Sequence, residues 1–204
     1  MNKPRGRPRG NPPTRARIAE VARARFLRDG YRGTTLRAVA GEAGVDPALV
    51  SYHFGSKQGL FSESMKLRRH PSDALAGALR GDPASLPERL LRAVVQLWDD
   101  PETGGPLTAL VRMSVRDEAV MRVYREYLER EVAGRIVEYL GGPDASERAA
   151  AAVALIGGLI LTRYLTPLSP MANLTGQQVQ QLLAAALRAA LYGAPARHHR
   201  TTPG

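Results

Sequence analysis

The sequence contains no cysteine. That absence removes disulfides, thiolate-ligated zinc and cysteine nucleophiles together, and it suits a reducing cytoplasm. No apolar signal-peptide core follows the basic N-terminus, and the longest apolar run, residues 149–162, is short for a bilayer, so neither secretion nor a membrane segment is expected. Strand-like alternation of apolar and polar residues is missing, as is any repeat of solenoid period. Catalytic constellations are missing too. The histidines are His53, His70, His198 and His199, and none has a serine or acid arranged for a triad. No glycine loop suits a phosphate, and no spacing suits a metal. Paired acids such as Asp99-Asp100 and Asp117-Glu118 read as helix-end charges. We therefore expect no enzyme, no cofactor and no metal site.

What is present is an all-α pattern with unevenly placed charge. Hydrophobic residues make up 44% of the 204, enough to bury a substantial core. Residues 1–69 hold 15 Lys/Arg against 5 Asp/Glu, a net of +10, whereas residues 70–204 hold 14 of each. A solvated surface needs charge but not charge of one sign. An excess confined to the first third points to a polyanion, bound by phosphate neutralisation and counterion release. For residues 1–13 alone, a basic tail that merely aids solubility is the alternative.

Within that third, residues 14–29 carry Ile18, Val21, Ala22, Phe26 and Leu27 at helical spacing, with Thr14 as cap and Gly30 as stop. Thr35 can N-cap a second helix whose inner face is Val39, Ala40 and Ala43. Gly44 then supplies a positive φ, Val45 plugs the corner, and Asp46-Pro47 opens a third helix through Leu49, Val50 and Phe54 to Gly55. Ser56 caps a fourth, carrying Lys57, Leu60 and Phe61 and expected to run to about Arg69, before Pro71 interrupts. Two short helices joined by a tight Gly-containing turn form a helix-turn-helix, whose second helix fits the major groove of double-stranded DNA. The preceding segment is rich in Pro, Gly and Arg and is expected to be disordered when free. Its Arg5-Gly6-Arg7-Pro8-Arg9 resembles the core of an AT-hook. Arg5, Arg7 and Arg9 then either lie along a minor groove or supply generic attraction to phosphate.

Gly30-Tyr31, Thr34-Thr35, Val39-Ala40, Ala43-Gly44-Val45, Phe54 and Ser56-Lys57 together resemble the DNA-binding domain of TetR/AcrR-type transcriptional repressors. The resemblance runs in register over roughly residues 14–62. It implies a homodimer bound to a palindromic operator and released by a small, largely apolar ligand of unknown identity. By residue-wise carry-over Arg37 matches a position that reads a guanine edge, which a planar guanidinium can meet at O6 and N7 together; an exposed arginine touching only phosphate is the alternative. Pro47, Ala48, Leu49 and Ser51 stand where base edges would lie. Thr35 and Lys57 match phosphate-binding positions at helix N-termini. Where most members carry a tyrosine this chain has Ser51, with Tyr52 and His53 beside it. Each of those two can reach a phosphate, or pack against Phe54 or the first helix.

Beyond the helix-turn-helix, helical periodicity continues over residues 86–98, 107–115, 118–140, 144–165 and 175–192. We expect a basic arm (1–13), a DNA-binding domain (14–62), a helical regulatory and dimerisation domain (63–193) and a flexible tail (194–204). Trp98, Leu110, Met113, Met121, Tyr124 and Leu159 are candidates for a ligand pocket, although such residues at helical spacing are also ordinary core. The last two helices are apolar around most of their circumference and rich in Ala and Gly. They are either interior helices of a monomer or, as the resemblance favours, a four-helix dimer interface including Leu155, Gly158, Leu182, Ala186 and Leu187. Two rival readings are an architectural DNA-binding protein without ligand control, and an enzyme or carrier with a metabolite-binding interior.

Overall fold

Helix caps and apolar spacing set the architecture of the structure, a computed structural model that describes residues 12–67 and 71–193. The described residues form eleven α-helices and no strand. The first four are α1 (Pro12–Gly33), α2 (Leu36–Ala43), α3 (Pro47–Phe54) and α4 (Lys57–Ser64). Next come α5 (Pro71–Leu79), α6 (Leu86–Asp99), α7 (Pro101–Arg116), α8 (Glu118–Tyr127) and α9 (Gly134–Leu140). The last two are α10 (Ala145–Ile160) and α11 (Gly176–Tyr192). The chain divides into two compact units: residues up to His70 with Ala109–Tyr127, and Pro71–Thr108 with Leu128 onward. The segment 109–127, which the sequence pattern assigns with 63–193, thus packs in one unit with α1–α4. Its Leu110, Val120, Val123 and Tyr127 are all buried.

The first unit is built on four aromatic rings. Ile18, Ala22 and Phe26 recur every fourth residue on α1 and are fully buried. Phe26 stacks on Tyr31 at 5.7 Å, and Phe61 stacks on Tyr127 at 4.6 Å. Tyr31 meets Phe61 edge-on at 5.3 Å. Each such burial stabilises the unit by about 1.5–3 kcal/mol, with about 0.5–1.5 kcal/mol more from the ring geometry.

The fourth helix is shorter than its sequence suggests. It stops at Ser64, and Lys66 adopts a φ of 61°. The Leu67 amide then donates to the Ser62 carbonyl at 2.7 Å and the Lys66 amide to the Glu63 carbonyl at 3.0 Å, the two bonds of a Schellman ending. Burial of Met65 and Leu67 pulls the chain around, so no continuous helix reaches Arg69. The expected helix 118–140 is also interrupted. A π-helical turn, Leu128–Ala133, separates α8 from α9 and carries the buried Glu131, paired with Arg135 at 3.3 Å.

The second unit packs α6, α9, α10 and α11 around Leu86, Leu91, Ile136, Leu159, Leu187 and Leu191. Ala149 and Ala152 on the inner face of α10 allow close approach of its axis. Thr175 and Gln178 form a capping box at the start of α11. With its terminal π turn, α10 extends over Ala145–Leu165, and these 21 residues are long and apolar enough to cross a membrane by length and composition. The helix is thus longer than the apolar run of residues 149–162, which Glu147, Arg148 and Arg163 flank.

Candidate nucleic-acid interface

Local hydrogen bonds shape the reading unit. The Thr35 hydroxyl accepts from the Ala38 amide at 3.1 Å and starts α2. Gly44 ends it in the left-handed region (φ 62°, ψ 39°), where a Cβ would be strained. The Asp46 carboxylate accepts from the Ala48 amide at 2.7 Å, and Pro47 begins α3 with its φ already helical. Val39, Ala40 and Ala43 of α2, with Val50 and Phe54 of α3, are buried. Period 3.6 then turns Pro47, Ala48, Ser51 and Tyr52 to solvent. Leu49 is half-buried.

The structure separates the two aromatic candidates. Tyr52 is 81% exposed. His53 is half-buried, its ring 6.1 Å from that of Phe54, and its Nε2 is buried without a hydrogen-bond partner.

The basic side chains divide in the same way. Arg25 pairs with Glu42 at 2.7 Å and Asp29 at 2.9 Å, while Arg28 pairs with the same two acids at 3.0 and 2.9 Å. Hydrogen bonding to Arg28 holds the Glu42 carboxyl below its ordinary range, with Arg25 adding to the effect, and the same guanidinium lowers Asp29. Arg15 pairs with Glu63 at 2.9 Å, and Arg17 donates to the Ala43 carbonyl at 2.8 Å. These four arginines bind α1 to α2 and α4. Arg37 is exposed and has no such partner among the described residues. Lys57, at the first position of α4, donates to the Arg32 carbonyl at 3.3 Å. Glu42 is a site residue the sequence pattern does not reveal, because it meets Arg25 across 17 residues of chain and no helical spacing links them.

The expected pocket residues are divided between the units: Leu110, Met113, Met121 and Tyr124 lie in the first, Trp98 and Leu159 in the second. Leu110, Trp98 and Leu159 are buried. Burial pushes the Tyr124 hydroxyl up to about 12. Met121 is 39% exposed, because Val120, Val123 and Tyr127 occupy the inner face of α8; it lines a shallow surface pocket with Glu118 and Arg125. Of the expected interface residues, Leu155 and Leu182 are 38% and 58% exposed, and Gly158 and Ala186 lie on the same open faces. Leu187 differs. It is 1% exposed, since Val179, Leu187 and Leu191 form the inward stripe of α11. Arg5, Arg7 and Arg9 lie outside the described residues.

Known proteins share this organisation. Residues 18–63 match the family described as bacterial regulatory proteins, tetR family, and residues 84–191 match the tetracyclin repressor-like, C-terminal domain. The HTH-type transcriptional regulator BetI of Agrobacterium fabrum is 30% identical over 164 residues, covering 76% of this chain and 78% of the relative. The protein of the same name from Burkholderia mallei is 29% identical over 182 residues, with coverage of 83% and 93%. The crystal structure of a TetR-family regulator from Streptomyces coelicolor A3 is 29% identical, covers 91% of this chain and 98% of that one, and superposes with a TM-score of 0.49. The chain belongs to the TetR family of transcriptional regulators, and it is a ligand-responsive helix-turn-helix repressor rather than an enzyme.

Proposed function

We propose that two copies of this chain, joined through the open faces of α10 and α11, bind a two-fold DNA operator in the cytoplasm, each placing α3 in a major groove. The observation that carries the reading is the division of side chains on the helix-turn-helix. Val50 and Phe54 hold α3 from below, Pro47, Ala48, Ser51 and Tyr52 face outward, and Arg37 is unpaired where the arginines of α1 are engaged. Arg37 then reads a guanine edge, and Leu49 with the small residues of α3 makes apolar contact with thymine methyls. Tyr52 reaches a phosphate, whereas His53 packs against Phe54. Thr35 and Lys57 place the N-termini of α2 and α4 against the backbone. Arg5, Arg7 and Arg9 add minor-groove or phosphate contacts from the arm.

The exposed Leu155, Leu161 and Leu182 support the dimer, because they form an apolar surface on neighbouring helices that water would otherwise cover. A small, largely apolar ligand lowers operator affinity by binding the DNA-incompetent arrangement more tightly, at about 1.4 kcal/mol for each tenfold loss. Selection of duplexes from a random-sequence library followed by footprinting tests the central claim. A two-fold protected site of two half-sites about one helical turn apart is the expected result. Uniform protection without a preferred sequence would refute it.

A further inference from the structure

The Arg32 peptide is held from both sides. Its amide donates to the Glu126 carboxylate at 2.8 Å, and its carbonyl accepts from the Lys57 ammonium at 3.3 Å. Glu126 can reach that amide because residue 30 is glycine. A Cβ at Gly30 would stand 2.8 Å from Oε2 and 2.9 Å from Oε1 of Glu126, and the φ of 77° is one that side chains rarely adopt. One turn earlier on α8, the Arg122 guanidinium donates to the carbonyls of Leu27 and Arg28, at 2.7 and 3.2 Å. These carbonyls lie just before the kink at Gly30. The Thr34 hydroxyl closes the corner on the Gly30 carbonyl at 2.9 Å.

Arg122 and Glu126, four residues apart, share one face of α8. Both act on backbone groups through charge-assisted hydrogen bonds, which are about twice as strong as neutral ones. The corner they grip leads directly into Thr35, the N-cap of α2, and its Arg32 carbonyl holds the first side chain of α4. Neighbouring phosphates on a duplex have a set separation, so two helix ends that grip one backbone must keep a matching separation.

We infer that Arg122 and Glu126 are positioning residues for DNA binding, which hold the corner of residues 27–34 and thereby set the spacing of the α2 and α4 N-termini. The inference rests on the phosphate contacts of Thr35 and Lys57 proposed above. Binding to arbitrary sequence depends chiefly on the number of charges, and tolerates a change of spacing that operator binding does not.

The test uses the full-length chain, a duplex recovered by the wild-type protein from a random-sequence library, and a scrambled duplex of equal length. Glu126→Ala and Arg122→Ala should each weaken the selected duplex by about tenfold and the scrambled one by less than about threefold. Glu126→Gln, whose amide oxygen still accepts from the Arg32 amide, should recover most of the loss. Amide exchange at Arg32 should quicken in Glu126→Ala and stay near the wild-type rate in Glu126→Gln. Urea unfolding of each variant separates lost protein from lost affinity, and the exposed Arg122 offers a variant that keeps the core intact. Unchanged affinity of the folded fraction for the selected duplex, or equal loss on both duplexes, overturns the inference. Thr35→Ala and Lys57→Ala serve as controls. If they leave the selected duplex unaffected, the phosphate contacts fall and this inference falls with them; if they weaken it while the α8 variants do not, only this inference falls.

Discussion

The Lys57 ammonium lies 4.7 Å from the centre of the buried Tyr31 ring, so a side chain expected to serve DNA also seals the aromatic core. A cation over an aromatic face at a partly exposed site contributes about 0.5–1 kcal/mol. Lys57→Ala should therefore lower stability by about that amount in urea unfolding. It should also weaken all duplexes alike and reduce the salt slope of binding by about one. A loss confined to the selected operator would show that Lys57 reads sequence rather than phosphate.

Arg37 has no internal partner among the described residues, so its replacement isolates recognition. Arg37→Ala should leave the urea midpoint unchanged, cost about 1–3 kcal/mol on the operator and flatten base preference at one position per half-site. Competition binding with single-base variants of the operator measures this directly. Equal loss on operator and random duplex would reassign Arg37 to the backbone.

The lock between α1 and α2 predicts a particular acid sensitivity. The Glu42 and Asp29 carboxyls are held below their ordinary values of 4.5 and 3.8 by Arg28, aided by Arg25. A depressed folded-state value means stability that is fully present above the ordinary value and lost as pH falls through the folded one. The urea midpoint of the wild type should therefore fall more steeply below about pH 4.5 than that of Glu42→Gln. Parallel curves would show that the pairs add nothing to folding, as exposed pairs often do.

Two neighbouring positions on α11 should respond in opposite ways. Ala186→Glu on the open face should give monomers in sedimentation and abolish tight operator binding while leaving the fold intact. Leu187→Ala should keep the dimer but cost about 2–5 kcal/mol of stability, because it opens a cavity in the core. A dimeric Ala186→Glu would place the interface elsewhere.

Removal of residues 1–10 deletes Lys3, Arg5, Arg7 and Arg9, four of the 15 basic residues in the first 69. Affinity should fall and the salt slope should become shallower. Greater loss on operators with A·T-rich flanks than on G·C-rich ones would mark a minor-groove arm, and equal loss would leave generic attraction to phosphate.

Most of the reading unit is legible along the chain because its devices are local. Thr35, Asp46 and Ser56 each cap a helix through an amide two or three residues away, and Gly44 supplies the turn between α2 and α3. Such contacts depend only on near neighbours, so their spacing in sequence is their spacing in space. The alternation of Val39, Ala40 and Ala43 with Arg37 sorts inner from outer faces by the same logic. The sequence by itself thus determined the all-α class, the helix-turn-helix and the face that α3 presents.

Tertiary structure decided the rest. The end of α4 depends on burial of Met65 and Leu67, which forces the left-handed turn onto a lysine where a glycine would have announced it. Leu182 and Leu187 are the same residue type on one largely apolar helix, and only packing against α6 and α10 turns one outward and the other inward. Tyr52 and His53 are adjacent polar aromatics, and only the fold leaves Tyr52 exposed while setting the His53 ring 6.1 Å from that of Phe54. The pairs Arg25 with Glu42 and Arg32 with Glu126 join residues 17 and 94 positions apart. A helical repeat states which residues share a face, but which two faces meet depends on the summed packing of the whole unit, and that choice made these pairs.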